Sequence, residues 1–205
     1  RTDNDNQVLH QYSMDSVRKF KQSFSQDNMP QEGPEPDGEY FVYTGNTNWG
    51  IQNLCWDPDT GNWLMFVYRG KKSHFPNGTL YIADGHAAPV PVEGSEGVYT
   101  VPLLKKGLYD KGSGIHYWES RLGDTGIEVL GDGYFYMAES QNRLGMRAST
   151  THLMKWTGKT PDPFEEVASK PLEACHIQID TALYNPSTGW MKDAGVGAFM
   201  HFLPT

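Results

Sequence analysis

The chain has 205 residues and a formal charge of −8, with 17 Lys and Arg against 25 Asp and Glu. It therefore offers little long-range attraction to a phosphate backbone, and nucleic acid is not expected as a partner. Six Trp, eleven Tyr and nine Phe accompany 22 Gly and 13 Pro, the composition of a strand-rich, turn-rich protein long enough for one substantial domain, and no apolar run approaches the roughly 20 residues that span a bilayer.

In chain order, QVLHQYSMDSVRKF (residues 7–20) alternates imperfectly, and Ser16 to Phe24 is the only stretch with even a weak helical apolar period before about residue 165. The polar, Pro-rich SQDNMPQEGPEPDGE that follows reads as a long surface loop. EYFVYTG, GIQNLCW and NWLMFVYRG are short aromatic or β-branched runs closed by Gly, Asn or Asp, and three such runs so close together predict an antiparallel meander. GTLYIADG, VYTVPLL, the polar excursion KGSGIHYWESRLGD, GIEVLGDG, GYFYMAES and THLMKWTGK continue the pattern. The fold class is all-β. A β-propeller-like architecture, partial or few-bladed, is expected because a Gly-rich turn repeatedly precedes an aromatic strand; a β-sandwich is the alternative. At about 40 to 50 residues per blade the chain holds three or four blades at most.

The stretch CWDPDTGNW (residues 55–63) is a hairpin turn by local chemistry. Pro58 presets φ, the Asp57 and Asp59 side chains can bond the backbone two residues on, and Gly61 takes a positive φ without strain. Trp56 and Trp63 flank it, which puts two indoles at the same end of one hairpin. An EF-hand loop is not spelled out here, because the ordered oxygen ligands and the Glu at its twelfth position are missing. The Asp-x-Gly spacing followed by Trp resembles the Asp-box turn of sialidase-like propellers, with Asp57 at the position of the leading Ser and the Trp one place early.

The turn is echoed by YNPSTGW (residues 184–190), after which WMKDAGVGAFMHF (residues 190–202) resembles the entry to the catalytic barrel of the alpha-L-fucosidase family. That family opens its barrel with a Trp, a short helix and a Gly-hydrophobic-His strand, and the resemblance implies a sugar-binding role for His201. Residues 1–180 are therefore expected to form the β domain, and 181–205 a linker and the possible start of a barrel. The carboxylates of such a barrel would lie beyond Thr205, and a chain that begins at Arg1 instead of Met reads as a processed or truncated product.

Within the β domain, glycoside hydrolysis would need two carboxylates about 5 to 9.5 Å apart. Asp84, Glu119, Asp132 and Glu139 stand at strand ends or in loops, and Glu119 and Asp132 are taken as the catalytic candidates. GIHYWESRLGD (residues 114–124) gathers His116, Tyr117, Trp118, Glu119 and Arg121, rings for stacking on a sugar face beside groups that fix hydroxyls. Trp49, Gln52 and Asn53 of NTNWGIQN are similar in kind, and Arg69 and His74 complete the substrate-binding candidates. Without a role, each is an ordinary surface or core residue.

Cys55 and Cys175 are too far apart for a disulfide framework or a metal-ligand spacing and are expected to be small buried residues. Seven His and eight Met are scattered without metal-like pairing, so no metal or cofactor is expected. No nucleophile elbow, Walker loop, H-E-x-x-H or dinucleotide fingerprint is present. Three functional readings stay open: the propeller module of a carbohydrate-active protein, a non-catalytic glycan- or protein-binding module, and a β domain that is itself the glycosidase. The carbohydrate readings imply a carbohydrate ligand and a secreted or periplasmic location in a polysaccharide-degrading bacterium; a monomer is the default expectation, and no membrane partner is expected from the lack of a long apolar run.

Overall fold

The computed structural model of the chain describes residues 5–20, Ser25, Met29 and residues 33–45, 48–143 and 145–169. Its elements are β1 (Asn6–Gln11), α1 (Met14–Phe20), β2 (Gly38–Tyr43), β3 (Ile51–Asp57), β4 (Asn62–Val67), β5 (Leu80–Ala83), β6 (Val90–Pro91), β7 (Val98–Thr100), β8 (Leu108–Asp110), β9 (Ile115–Tyr117), β10 (Gly126–Gly131), β11 (Tyr134–Arg143), β12 (Met146–Trp156) and β13 (Phe164–Glu166). The all-β class holds, and several antiparallel sheets carry it, none of them closed. The single described helix buries none of its side chains; Ser13 caps it by accepting a hydrogen bond from the Ser16 N–H at 3.0 Å.

The sheets are β1-β2-β7-β6, β3-β4-β5, β8-β9 and β10-β11-β12-β13. One expectation is corrected here. The meander predicted from EYFVYTG onward begins one strand later, because β2 pairs antiparallel with β1 and parallel with β7 instead of joining β3. A parallel pair needs a long crossover, and this one contains the whole β3-β4-β5 sheet.

That inserted sheet is the middle layer. In β4 the side chains alternate between two cores: Leu64 and Phe66 pack with Leu80, Ile82, Trp118, Phe135, Met137, Met154 and Phe164, while Met65 and Val67 pack with Val42, Tyr81, Ala83 and Ile115. One face of the middle sheet thus meets β10–β13 and the other meets β1, β2 and β9. This explains why NWLMFV and LYIA read as continuous apolar runs: all four residues of β5 are buried, as are five of the six in β4. A strand with a core on each side has no face left for polar residues.

The β11-β12 hairpin outruns this packing. Phe135↔Met154 and Met137↔His152 are cross-strand partners on the core-facing side, and beyond them the same side turns polar, with Glu139 opposite Thr150. The first six residues of β12 are exposed.

Candidate functional site

The middle sheet has two ends, and they divide the candidate residues. At the end where β4 finishes and β5 begins, the Arg69 guanidinium grips the Glu119 carboxylate with both terminal nitrogens, Nη1 lying 3.2 Å from Oε1 and Nη2 donating to Oε2. Glu119 is anchored through its N–H to the Pro161 carbonyl at 2.8 Å. Asn53 donates to the Gly123 carbonyl at 2.7 Å, and Gln52 to the Trp49 carbonyl at 3.0 Å; Trp49 itself is 60% exposed. His74 holds a φ of +70° in the neighbouring loop. Tyr117 packs its ring on Gly78, where a Cβ would come within 2.5 Å of it.

Asp132 lies at the opposite end. With φ values of +55° and +71°, Asp132 and Gly133 form the two-residue turn between β10 and β11. The Gly133 N–H donates to the carboxylate of Asp59 in the β3-β4 turn, and Lys155 Nζ donates to the Asp132 carbonyl. Between that turn and Arg69 runs the whole of β4, from Asn62 onward, about 23 Å at roughly 3.3 Å per residue. Glu119 and Asp132 are therefore not brought together across one cleft.

The excursion KGSGIHYWESRLGD opens with the turn and second strand of the β8-β9 hairpin, in which His116 stacks on Tyr109 with ring centroids 4.6 Å apart. Trp118 is a core residue, 2% exposed. Arg121 turns toward β10–β13 and donates to Glu166 at 3.1 Å. There it meets a group that sequence reasoning missed. His152 sits between two carboxylates, Nδ1 2.9 Å from Glu166 Oε1 and Nε2 3.3 Å from Glu139 Oε2. The bond to Glu166, then that to Glu139, raises the His152 pKa against some desolvation. Gln141 and then His152 lower that of Glu139, and His152 and then Arg121 lower that of Glu166. These groups are strands apart in sequence, and only register aligns them. His201 lies outside the described residues.

The more open chemistry is at the Asp132 end. A cleft of about 470 Å³ opens between the middle sheet and β10–β13. Its floor is Leu64, Ile82 and Trp118, all buried, and exposed His86, Lys106 and Gly158 stand at its mouth. Trp156 forms a side wall, its ring 6.0 Å from that of Trp118 and tilted by 59°. The CWDPDTGNW turn builds the rest. Asp57, 3% exposed, accepts from the Asp59 N–H at 3.1 Å and the Thr60 hydroxyl at 2.6 Å. Asn62 donates to the Thr60 carbonyl and accepts from the Gly85 N–H. His86 Nε2 lies 2.8 Å from the same carbonyl; a carbonyl only accepts, so Nε2 carries the hydrogen of this contact.

The walls combine flat rings with a carboxylate, a cation and amide and hydroxyl groups, which suits a ligand with an apolar face and a polar rim. Beneath them the Trp118 indole N–H is fully buried and has no acceptor among the described residues. Among the described lining residues Asp57 is the one carboxylate. Trp118 was visible in the sequence as an aromatic candidate; Trp156, His86 and Lys106 were not, because nothing local marks them.

Cys55 is half-buried, and burial together with the Asp57 and Glu128 charges pushes its thiol up to about 12, so it stays protonated and unreactive at neutral pH. No described helix is long and apolar enough to cross a membrane. No protein-family model, curated protein or solved structure matches the chain.

Proposed function

We propose that this protein is a glycan-binding module, and that the cleft over Trp118 and Trp156 receives a sugar ring. The observation that supports the reading is the pairing of two indoles with a carboxylate and a lysine in one cleft. A pyranose presents an apolar face for the rings and hydroxyls that both accept and donate. Binding is favoured over hydrolysis because the cleft has one carboxylate among its described residues, and that one already holds a turn.

On this reading the three face-to-face layers correspond to neighbouring blades of a β-propeller, and the module works beside a fucosidase-like barrel in an exported, polysaccharide-degrading protein.

The test is an immobilised panel of neutral and acidic glycans, followed by calorimetry on whatever is retained and by turnover assays on aryl glycosides. Retention without turnover is expected, with Lys106→Ala and Trp156→Phe each weakening binding by about tenfold, or about 1.4 kcal/mol. Turnover lost in Glu119→Gln or Asp132→Asn would instead mark a catalytic β domain. Failure of every glycan to bind would end the carbohydrate reading.

A further inference from the structure

We infer that the protein holds a stretch of neutral polysaccharide chain across the end of its middle sheet, through a second subsite on the sheet's other face. The inference rests on the sugar-binding reading of the first cleft and extends it. The second cleft, about 330 Å³, lies between β1-β2 and the middle sheet. Trp63 and Tyr40 supply its rings, and His10, Gln11 and Asp84 its polar groups. Tyr40 is fixed by stacking on Tyr99 at 5.2 Å and by donating to Gln11 Oε1 at 2.6 Å.

Its second indole stands beside it. Trp56 and Trp63 are cross-strand partners with ring centroids 5.0 Å apart, and they remain 42% and 39% exposed. Two adjoining tryptophans held half in water on one hairpin, their rings tilted by 54° to each other, offer two neighbouring ring faces, where a solitary exposed apolar residue would need no explanation.

The two clefts share their walls. The β3-β4 hairpin separates them, turning Leu64 into one and Trp63 into the other. The segment after β5 borders both, with His86 in the first and Asp84, Gly85 and Ala87 in the second. This shared wall is rigid: a Cβ at Gly85 would come 1.9 Å from the Gly61 carbonyl oxygen, so hairpin turn and segment are in direct backbone contact. Packed sheets are about 10 Å apart, so clefts on the two faces of one sheet are spaced for a chain of several sugars and not for one. Charge selects the chain. The protein carries −8, Asp84 lines the second cleft, and the His10 imidazole there is already beside Glu39 at 3.2 Å. An uncharged glycan fits this surface, and a polyuronate or sulfated chain is repelled.

The experiment is calorimetry with cello-, xylo- and manno-oligosaccharides from single sugars up to hexamers, with polygalacturonate as the acidic arm. For at least one neutral series, affinity is expected to climb with length. Trp63→Ala should remove about tenfold of the hexamer's affinity and flatten the rise of affinity with length, and Trp63→Phe should restore most of it. Equal affinity for short and long chains, a hexamer indifferent to Trp63→Ala, or tighter binding of polygalacturonate overturns the inference while the first cleft stands. Absence of binding by any member of any series removes the first cleft's reading and this one with it.

Discussion

Asp57 is the residue on which the first cleft's wall depends. Its carboxylate is nearly sealed from solvent and answers two donors of its own turn, the Asp59 N–H and the Thr60 hydroxyl. Asp57→Ala strands both, and a buried unmet donor costs about 1 to 3 kcal/mol. Urea unfolding of that variant should show an unfolding free energy lower by this amount, seen as a lowered midpoint with an unchanged slope; an unchanged midpoint would show that water replaces the carboxylate at no cost. The turn itself was legible from Pro58, Asp59 and Gly61, because each acts on its own φ or on a backbone group two residues away. The partner of Asp59 was not. Its carboxylate accepts from Gly133 N–H, in a turn between two other strands, and no local rule connects residues so far apart. Asn77 is similar. Its side chain bonds the Lys72 N–H and carbonyl and the Phe75 carbonyl, and it holds a φ of +51°, so it shapes the loop that presents Arg69.

At the scale of elements, the polar end of the β11-β12 hairpin joins three strands through one imidazole. Both His152 nitrogens face carboxylates, which only accept, so the doubly protonated ring is the form that satisfies them. The sign of the pH dependence follows. A raised histidine contributes fully below its unfolded value of about 6.5 and loses the contribution as pH rises through its folded value; lowered Glu139 and Glu166 contribute above their unfolded value of about 4.3 and lose it as pH falls through theirs. The stability advantage of the wild type over His152→Gln should therefore be greatest between about pH 4.5 and 6.5. It should shrink on either side in urea titrations across that range, and an advantage independent of pH would show that the ring acts only by packing. In the sequence, GYFYMAES and THLMKWTGK were recognisable as strands because they continue the pattern of short aromatic and β-branched runs bounded by turn residues. That Glu139 and His152 would meet depended on the pairing register, and a slip by one residue would have turned one of them to the opposite face.

For the whole molecule, the decisive feature is a sheet with a core on each side. Phe66 is completely buried on the face toward β10–β13, in ring contact with Phe164 at 6.1 Å. Phe66→Ala should lower the unfolding free energy by about 3 to 5 kcal/mol, measured as one cooperative transition. Two separate transitions would mean that the layers fold independently. The sequence by itself determined the strand-rich class, the hairpin at CWDPDTGNW, and the unbroken apolar runs of β4 and β5, because strand period and turn chemistry act within a few residues. Only the tertiary structure decided that β2 leaves its neighbours for β1 and β7, that Glu119 and Asp132 stand at opposite ends, and that Trp118, Trp156 and the Asp57 turn surround one cleft. Those outcomes come from face-to-face burial between sheets distant along the chain, where the gain lies in excluding water from whichever surfaces fit, and a residue's nearest neighbours carry no record of which surfaces those are.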